Sequence, residues 1–428
     1  MTSNINNQVE EALEQGNNER DANRYAQAEE SYRRALVINP KESRAFYGIG
    51  NLYVDQDRYA DAVQAYKQAV RLDPNNAEAY SEMSLAFDRL DKNREAEEAA
   101  RQALRINPNL ASAHSRLGNA YLARNQVEMA IAEYQQAIRL QPGYAQAHNN
   151  LGNAFLFQKK YAEALAQYQL AIRLKANFPE PHLGLGQLYL DQKRYAEAIA
   201  QFHEALRIKP NFSNAHVALG LSYLNQQRYA EALEEYQYVL RSDPNHLEAR
   251  LGLADLLTAQ KRYPEALENY QQALRIKPDR ASIYNGIGYV YRMLNRFGEA
   301  AEQFKQAIRL DPNDSYPHLS LGDIYIQQMR NPEAADEYRE AIRIDPKNAG
   351  GYFGLGNVYR NLRENYGAIE QYREAIRLQP DHELAHATLG FAYLDIKNKA
   401  GAMEQYNILQ RMNSSWAPQL LAAINKMN

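Results

Sequence analysis

A chain of 428 residues would ordinarily hold roughly two or three globular domains; at a formal net charge of −3, a charged fraction of 24% and a pI of about 6.4 it lacks the basic footprint of a nucleic-acid binder. It has no cysteine, which excludes a disulfide framework, thiol catalysis and Cys-ligated zinc. The opening segment, MTSNINNQVEEALEQ, has neither the basic region nor the apolar run of a secretory signal, and no apolar stretch of about 18 residues is present to span a bilayer, so a soluble cytoplasmic protein without a membrane span is expected.

Residues 1–8 are polar and are expected to be disordered. From Val9 the sequence recurs every 34 residues without an insertion or deletion, in twelve frames that begin at Val9, Ser43, Ala77, Ala111, Ala145, Pro179, Ser213, Leu247, Ala281, Ser315, Ala349 and Glu383 and together cover 9–416. Position 20 of the frame is alanine in all twelve, and position 8 is glycine in ten, with Ser84 and Ala254 as the exceptions. Only two helices that cross closely need small residues at such fixed places. Position 11 is aromatic in ten frames and position 24 is Tyr or Phe in eleven, which supplies the filler around that crossing.

In the first frame Gln15 and Glu19 replace the apolar residue of position 7 and the aromatic of position 11, as suits an outer helix with no neighbour. In each interior frame a first helix is predicted over positions 2–14, as in Glu180–Gln192, then a polar turn such as DQKRY, then a second helix with an apolar face through positions 20, 24, 27 and 28. Arginine at position 29 in eleven frames complements the negative end of that helix. Proline at position 32 stops it, with Ala176 the interior exception. The last frame weakens at Leu409, Gln410 and Ser414, and Leu420, Leu421 and Ile424 then predict a capping helix over 417–428, the alternative being a docking handle.

This pattern resembles the tetratricopeptide repeat family: a bulky residue at 4, Leu-Gly at 7 and 8, aromatics at 11 and 24, alanines at 20 and 27, and proline at 32. The resemblance implies an all-α protein, an α-solenoid of about twelve helix-turn-helix repeats winding into a right-handed superhelix, with the first helices lining a concave groove.

No catalytic residue, metal site or cofactor is expected. His382, Glu383, Leu384, Ala385 and His386 match H-E-x-x-H, the spacing that holds zinc on one helix face. The frame already explains them, since His382 falls in a turn and His386 at the bulky position 4, which is also histidine at 114, 148, 182, 216 and 318. These are read as packing histidines that make stability pH-sensitive if burial depresses their pKa. The 32 tyrosines fall mostly at positions 11, 17 and 24 and are read as core.

Function is therefore sought on the first helices at positions 2, 5, 6, 9, 12 and 13, which line the groove in the family. Thirteen acids against six bases stand there, seven of the acids in the first three frames, which favours a basic or neutral partner segment over an acidic one. Asn119, Asn149, Asn150, Asn153 and Gln187, with Phe157 beside them, form an amide run able to pair with both the N–H and the C=O of an extended peptide. Tyr289, Tyr316, Phe353 and Asn357 continue the face with aromatic anchors and one more amide. The carboxylate clamp of co-chaperone relatives is not expected: Asn119 and Asn150 match its asparagines, but Ser115, Glu180 and Gly184 stand where its cations belong. The asparagine-rich frames also resemble the substrate-presenting repeats of protein O-glycosyltransferases, without the catalytic domain. The expected function is a non-enzymatic scaffold that binds a protein or peptide partner. The alternatives are a self-assembling structural scaffold, a homo-oligomer, and a presenting subunit for a glycosyltransferase.

Overall fold

The computed structural model describes residues 2–426, which form twenty-five helices and, among the described residues, no strand. They fall into two compact units, Met1–Gln226 and Gln227–Asn428. The first holds six antiparallel helix pairs, from Thr2–Asp21 with Tyr25–Ile38 to Pro179–Asp191 with Tyr195–Ile208, and then the helix Ser213–Asn225. The second begins with Tyr229–Ser242, continues through five pairs from Leu247–Ala259 to Lys399–Arg411, and finishes with Ala417–Asn425. Each unit is thus a solenoid of helix-turn-helix repeats. From the second frame to the twelfth, the first helix starts at the residue that opens the frame.

The N-terminus differs from the expectation. The first helix starts at Thr2, so residues 2–8 are helical rather than disordered. Val9, Ala12 and Leu13 are buried and nucleate the helix, and extending a formed helix fixes one residue per added bond, so the exposed residues 5–8 continue it at little cost. Residues 1, 427 and 428 lie outside the described residues.

The turn between paired helices is made the same way each time. The residue at position 15, from Asn23 and Asp57 to Lys261, Met329 and Lys397, has φ between 57° and 61° and ends the first helix in the left-handed conformation. In one such turn Lys193 N–H bonds to the Leu190 carbonyl at 2.9 Å and Arg194 N–H to the Tyr189 carbonyl at 2.8 Å, which satisfies two helix-end carbonyls. Arg194 then lies 4.5 Å over the Tyr189 ring and pairs with Glu197 at 2.9 Å. Arg58, Arg296 and Arg330 repeat the stacking over Tyr53, Tyr291 and Tyr325 at 4.1–4.5 Å.

Within each unit the core is an alternation of rings and glycines. The position-20 alanines from Ala28 to Ala402 are fully buried at the crossing of paired helices. The position-24 ring lies across the glycine of its own repeat and, where one is present, a second glycine at position 6 of the next. A Cβ on Gly152 would come within 2.7 Å of the Tyr168 ring, and one on Gly184 within 2.5 Å, so Tyr168 is held between two helices that approach only because both lack a side chain there. Truncating such a ring to alanine costs about 3–5 kcal/mol. In the last repeat the seat over Gly390 is taken instead by Leu420 from Ala417–Asn425.

The position-4 histidines bond as well as pack. The Nε2 atoms of His114, His148, His216 and His386 lie 2.9–3.0 Å from the carbonyls of Pro108, Pro142, Pro210 and Pro380, and Tyr284 hydroxyl donates to the Pro278 carbonyl in the same way. On the other ring nitrogen, His114 Nδ1 lies 2.6 Å from Glu133. A carbonyl and a carboxylate only accept, so both ring nitrogens of His114 must donate, and Glu133 raises its pKa above the ordinary histidine value. The depressed value expected from burial is thereby reversed at His114. At His382, which caps Glu383–Asp395, burial does lower it.

Candidate functional site

The residues expected to line the groove are governed by a pairing between positions 9 and 24. Tyr134, Tyr168 and Tyr372 donate their hydroxyls to Oδ1 of Asn119, Asn153 and Asn357, each at 2.8 Å. Tyr32 and Tyr66 do the same to Asn17 and Asn51 at 2.7 Å, while Tyr338 and Tyr270 donate to carboxylates, Asp323 at 2.8 Å and Asp255. Every Asn or Asp at position 9 therefore accepts from the buried tyrosine of its own repeat. Where position 24 is Phe, as at Phe202 and Phe304, position 9 is Gln187 or Tyr289. With Oδ1 committed, Asn119, Asn153 and Asn357 offer Nδ2 donors to a partner, so they suit its carbonyls rather than both its N–H and C=O groups.

Asn149 and Asn150 are not open surface. They are 3% and 7% exposed, because position 5 turns into the core and Asn150 is enclosed by a polar network. Asn150 Nδ2 donates to Asn119 Oδ1 at 2.9 Å, and its Oδ1 accepts from Gln146 at 3.0 Å and from Asn149 at 3.3 Å. Neither reaches a peptide without breaking that network, so the expected amide run reduces here to its outer members.

In the first unit those members meet. Asn153, Leu156, Phe157 and Lys159 from one repeat and Gln187 and Asp191 from the next line a concave site of about 280 Å³. Phe157 stands 61% exposed beside it, and Gln187 Nε2 donates to Asp191 at 3.1 Å.

In the second unit Tyr289 and Tyr316 come together over a larger concavity of about 510 Å³, which also takes in Asp255, Thr258, Tyr270, Ser282, Asn285 and Met293. Tyr316 is 39% exposed and packs edge-on against Phe304, with ring centroids 6.1 Å apart. Phe353 and Asn357 are not part of this concavity. The Phe353 ring is half-buried, 5.8 Å from Tyr372 and 4.9 Å from His382, and so serves the repeat stack first. Nothing in the repeat pattern singles out Ser282, Asn285 and Met293. The frame placed Ser282, Asn285 and Met293 at positions 2, 5 and 13 of the face, but an isolated polar or apolar residue there carries no signal until its neighbours are known.

Five of the six bases on the face pair with an acid of an adjacent repeat, which leaves the excess of acids over bases in place. Arg20 lies 3.5 Å from Asp55, Arg44 2.7 Å from Glu10, Arg116 3.5 Å from Glu82, Arg292 3.0 Å from Asp323 and Arg360 3.5 Å from Asp395. Among the described residues Glu14, Glu78, Asp88, Glu180, Asp191 and Asp255 have no ion pair, and desolvation raises the pKa of the Asp88 and Asp255 carboxyls.

Tetratricopeptide repeat models match residues 13–77, 77–110, 118–158 and 349–382, and a model described as the C-terminal domain of cilia and flagella-associated protein 70 matches 142–352. No curated protein matches the sequence. Among solved structures, a chain of the APC/C hetero-tetramer Cut9–Hcn1 is 15% identical with a TM-score of 0.46, over 96% of this chain and 95% of that one. Among the described residues, no helix is long and apolar enough to cross a membrane.

Proposed function

The chain belongs to the tetratricopeptide repeat family and is built as a protein-interaction scaffold, and we propose that it works without catalysis, holding an extended partner segment against its first helices. The observation that carries this reading is Phe157: a ring left 61% exposed beside a concavity that also gathers Asn153 and Gln187. An exposed aromatic at a concave wall supplies apolar area to an incoming side chain, and adjacent amide donors fix the carbonyls of the segment that carries it. Each such site is small, so affinity comes from several in series. With nine acids against four bases on the first helices of the first unit, a basic or neutral segment suits it better than an acidic one.

The test is selection of random dodecapeptides on the intact chain, followed by affinity measurement on Phe157→Ala and Gln187→Ala. Asn153→Ala is a poor probe because it would also strand the Tyr168 hydroxyl. The expected result is a loss of about tenfold with Phe157→Ala, the scale of one buried aromatic anchor. Peptides that bind both variants as tightly as the parent would place recognition on another face and sink the proposal.

A further inference from the structure

We infer that the concavity of the second unit accepts a cationic side chain, lysine or arginine, from an extended partner segment, with Asp255 as its counter-ion. The inference rests on the reading of the first helices as the partner-binding face and names what one site on that face selects.

The charged groups around the concavity are Lys261, which forms no ion pair among the described residues, and four acids with their partners. Glu248 is held by Arg280 at 2.5 and 3.3 Å. Asp323 is held by Arg292 at 3.0 Å and by the Tyr338 hydroxyl at 2.8 Å. Asp314 accepts from Asn285 Nδ2 at 2.8 Å and from Tyr316 N–H at 2.9 Å. Among the described residues Asp255 accepts only the Tyr270 hydroxyl, and Arg280, whose charge acts on it, is already paired with Glu248. Asn285 adds a second deficit: its Oδ1 is buried without a donor. The concavity thus presents a carboxylate lacking a cation and a carbonyl oxygen lacking a donor.

An ammonium or guanidinium group answers both needs, since it carries positive charge, several donors and no acceptor. A carboxylate would meet Asp255 as a like charge, and an apolar side chain would leave both oxygens as they are. The Tyr316 wall agrees, because an aromatic face attracts cations, whereas the Tyr289 ring already carries Arg292 5.5 Å from its centroid. The chain also contains its own precedent. Asp323 occupies position 9 as Asp255 does, and there the cation is supplied internally by Arg292 from position 12 of the preceding repeat. The residue at position 12 in the repeat before Asp255 is Leu224. The carboxylate at 255 is accordingly left for an external cation.

The test uses random dodecapeptides selected on the intact chain, keeping those whose affinity falls on Tyr316→Ala. These peptides are expected to share a lysine or arginine whose replacement by leucine weakens binding by about tenfold or more, the scale of a close charge pair. Asp255→Asn, which keeps an acceptor for Tyr270, is expected to cost as much, and the two changes together little more than either alone. Undiminished binding of Phe157-dependent peptides to Asp255→Asn shows that the variant is folded. Tyr316-dependent peptides that ignore Asp255→Asn, or that share no basic residue, would overturn the inference while leaving the scaffold reading intact. Phe157-dependent peptides with no Tyr316-dependent ones would do the same. Failure to select any peptide would bring down both.

Discussion

The hydroxyl of Tyr236 offers a sharp test of the pairing between positions 9 and 24. Tyr236 is fully buried, and its hydroxyl has no partner among the described residues, position 9 of its repeat being Leu221. Tyr168 is equally buried, but its hydroxyl donates to Asn153 at 2.8 Å. Deleting the two hydroxyls should therefore have opposite effects. Tyr168→Phe removes a satisfied bond and leaves Asn153, which is exposed, to water, so it costs about 0.5–1.5 kcal/mol. Tyr236→Phe removes a buried hydroxyl that gave up its water and received nothing, a penalty of about 1–3 kcal/mol, and should stabilise by a similar amount. The two variants should differ by about 2 kcal/mol or more. Because repeat arrays need not unfold in one step, amide exchange of the flanking helices should be read beside the urea midpoint. Tyr236→Phe destabilising as much as Tyr168→Phe would mean that the hydroxyl is satisfied in solution, and the argument would fail.

Gly184→Ala should cost about 1–3 kcal/mol by forcing Tyr168 aside, whereas Gly298→Ala, whose Cβ would meet nothing within 4 Å, should gain about 0.5–1 kcal/mol from helix propensity; thermal midpoints moving in the same direction would contradict the ring-and-glycine packing. Met329, 87% exposed at φ 58°, should give a more stable turn when changed to glycine, by about 0.5 kcal/mol once glycine's extra unfolded freedom is subtracted, and an unchanged urea midpoint would count against it. The pKa of His114 is raised in the folded state, so its pairing with Glu133 stabilises fully below the ordinary histidine value of 6.5 and is lost as pH rises through the folded value. The stability gap between the parent and His114→Gln should accordingly shrink from mildly acidic to alkaline pH, and parallel melting curves across that range would refute the assignment.

Much of this architecture was readable because the positions that make it are shared by every repeat. A glycine or alanine at 8, an alanine at 20 and a ring at 24 recur because each crossing has the same clearance, and a repeated steric demand leaves a repeated letter. What the sequence hid were relations between positions. Asn153 was read as groove and Tyr168 as filler, and only the hydrogen bond joins them; the pattern in which Asn or Asp at 9 accompanies Tyr at 24, while Phe accompanies Gln187 or Tyr289, was in the letters and could have revealed it. Asn149 and Asn150 misled for a different reason. They are amides at face positions, but burial depends on the angle at which neighbouring helices meet, which composition does not encode. Counting acids and bases fixes the net charge of the face but not its pairing, in which Arg44 and Arg292 each reach across to an acid of an adjacent repeat.

Leu420 over Gly390 bears on what the last helix pair leaves open to a second copy. Every interior junction in a stack of like units is a template for the same junction on another molecule, and an open end with an empty seat would invite a second copy to dock head to tail and continue without closure. Leu420 fills that seat from within the same chain, with Ala417 and Ile424 buried beside it and Trp416 packed against the cluster. Ala417–Asn425 thus plays the part of a stand-in, one leucine covering the glycine that a ring covers in the interior repeats.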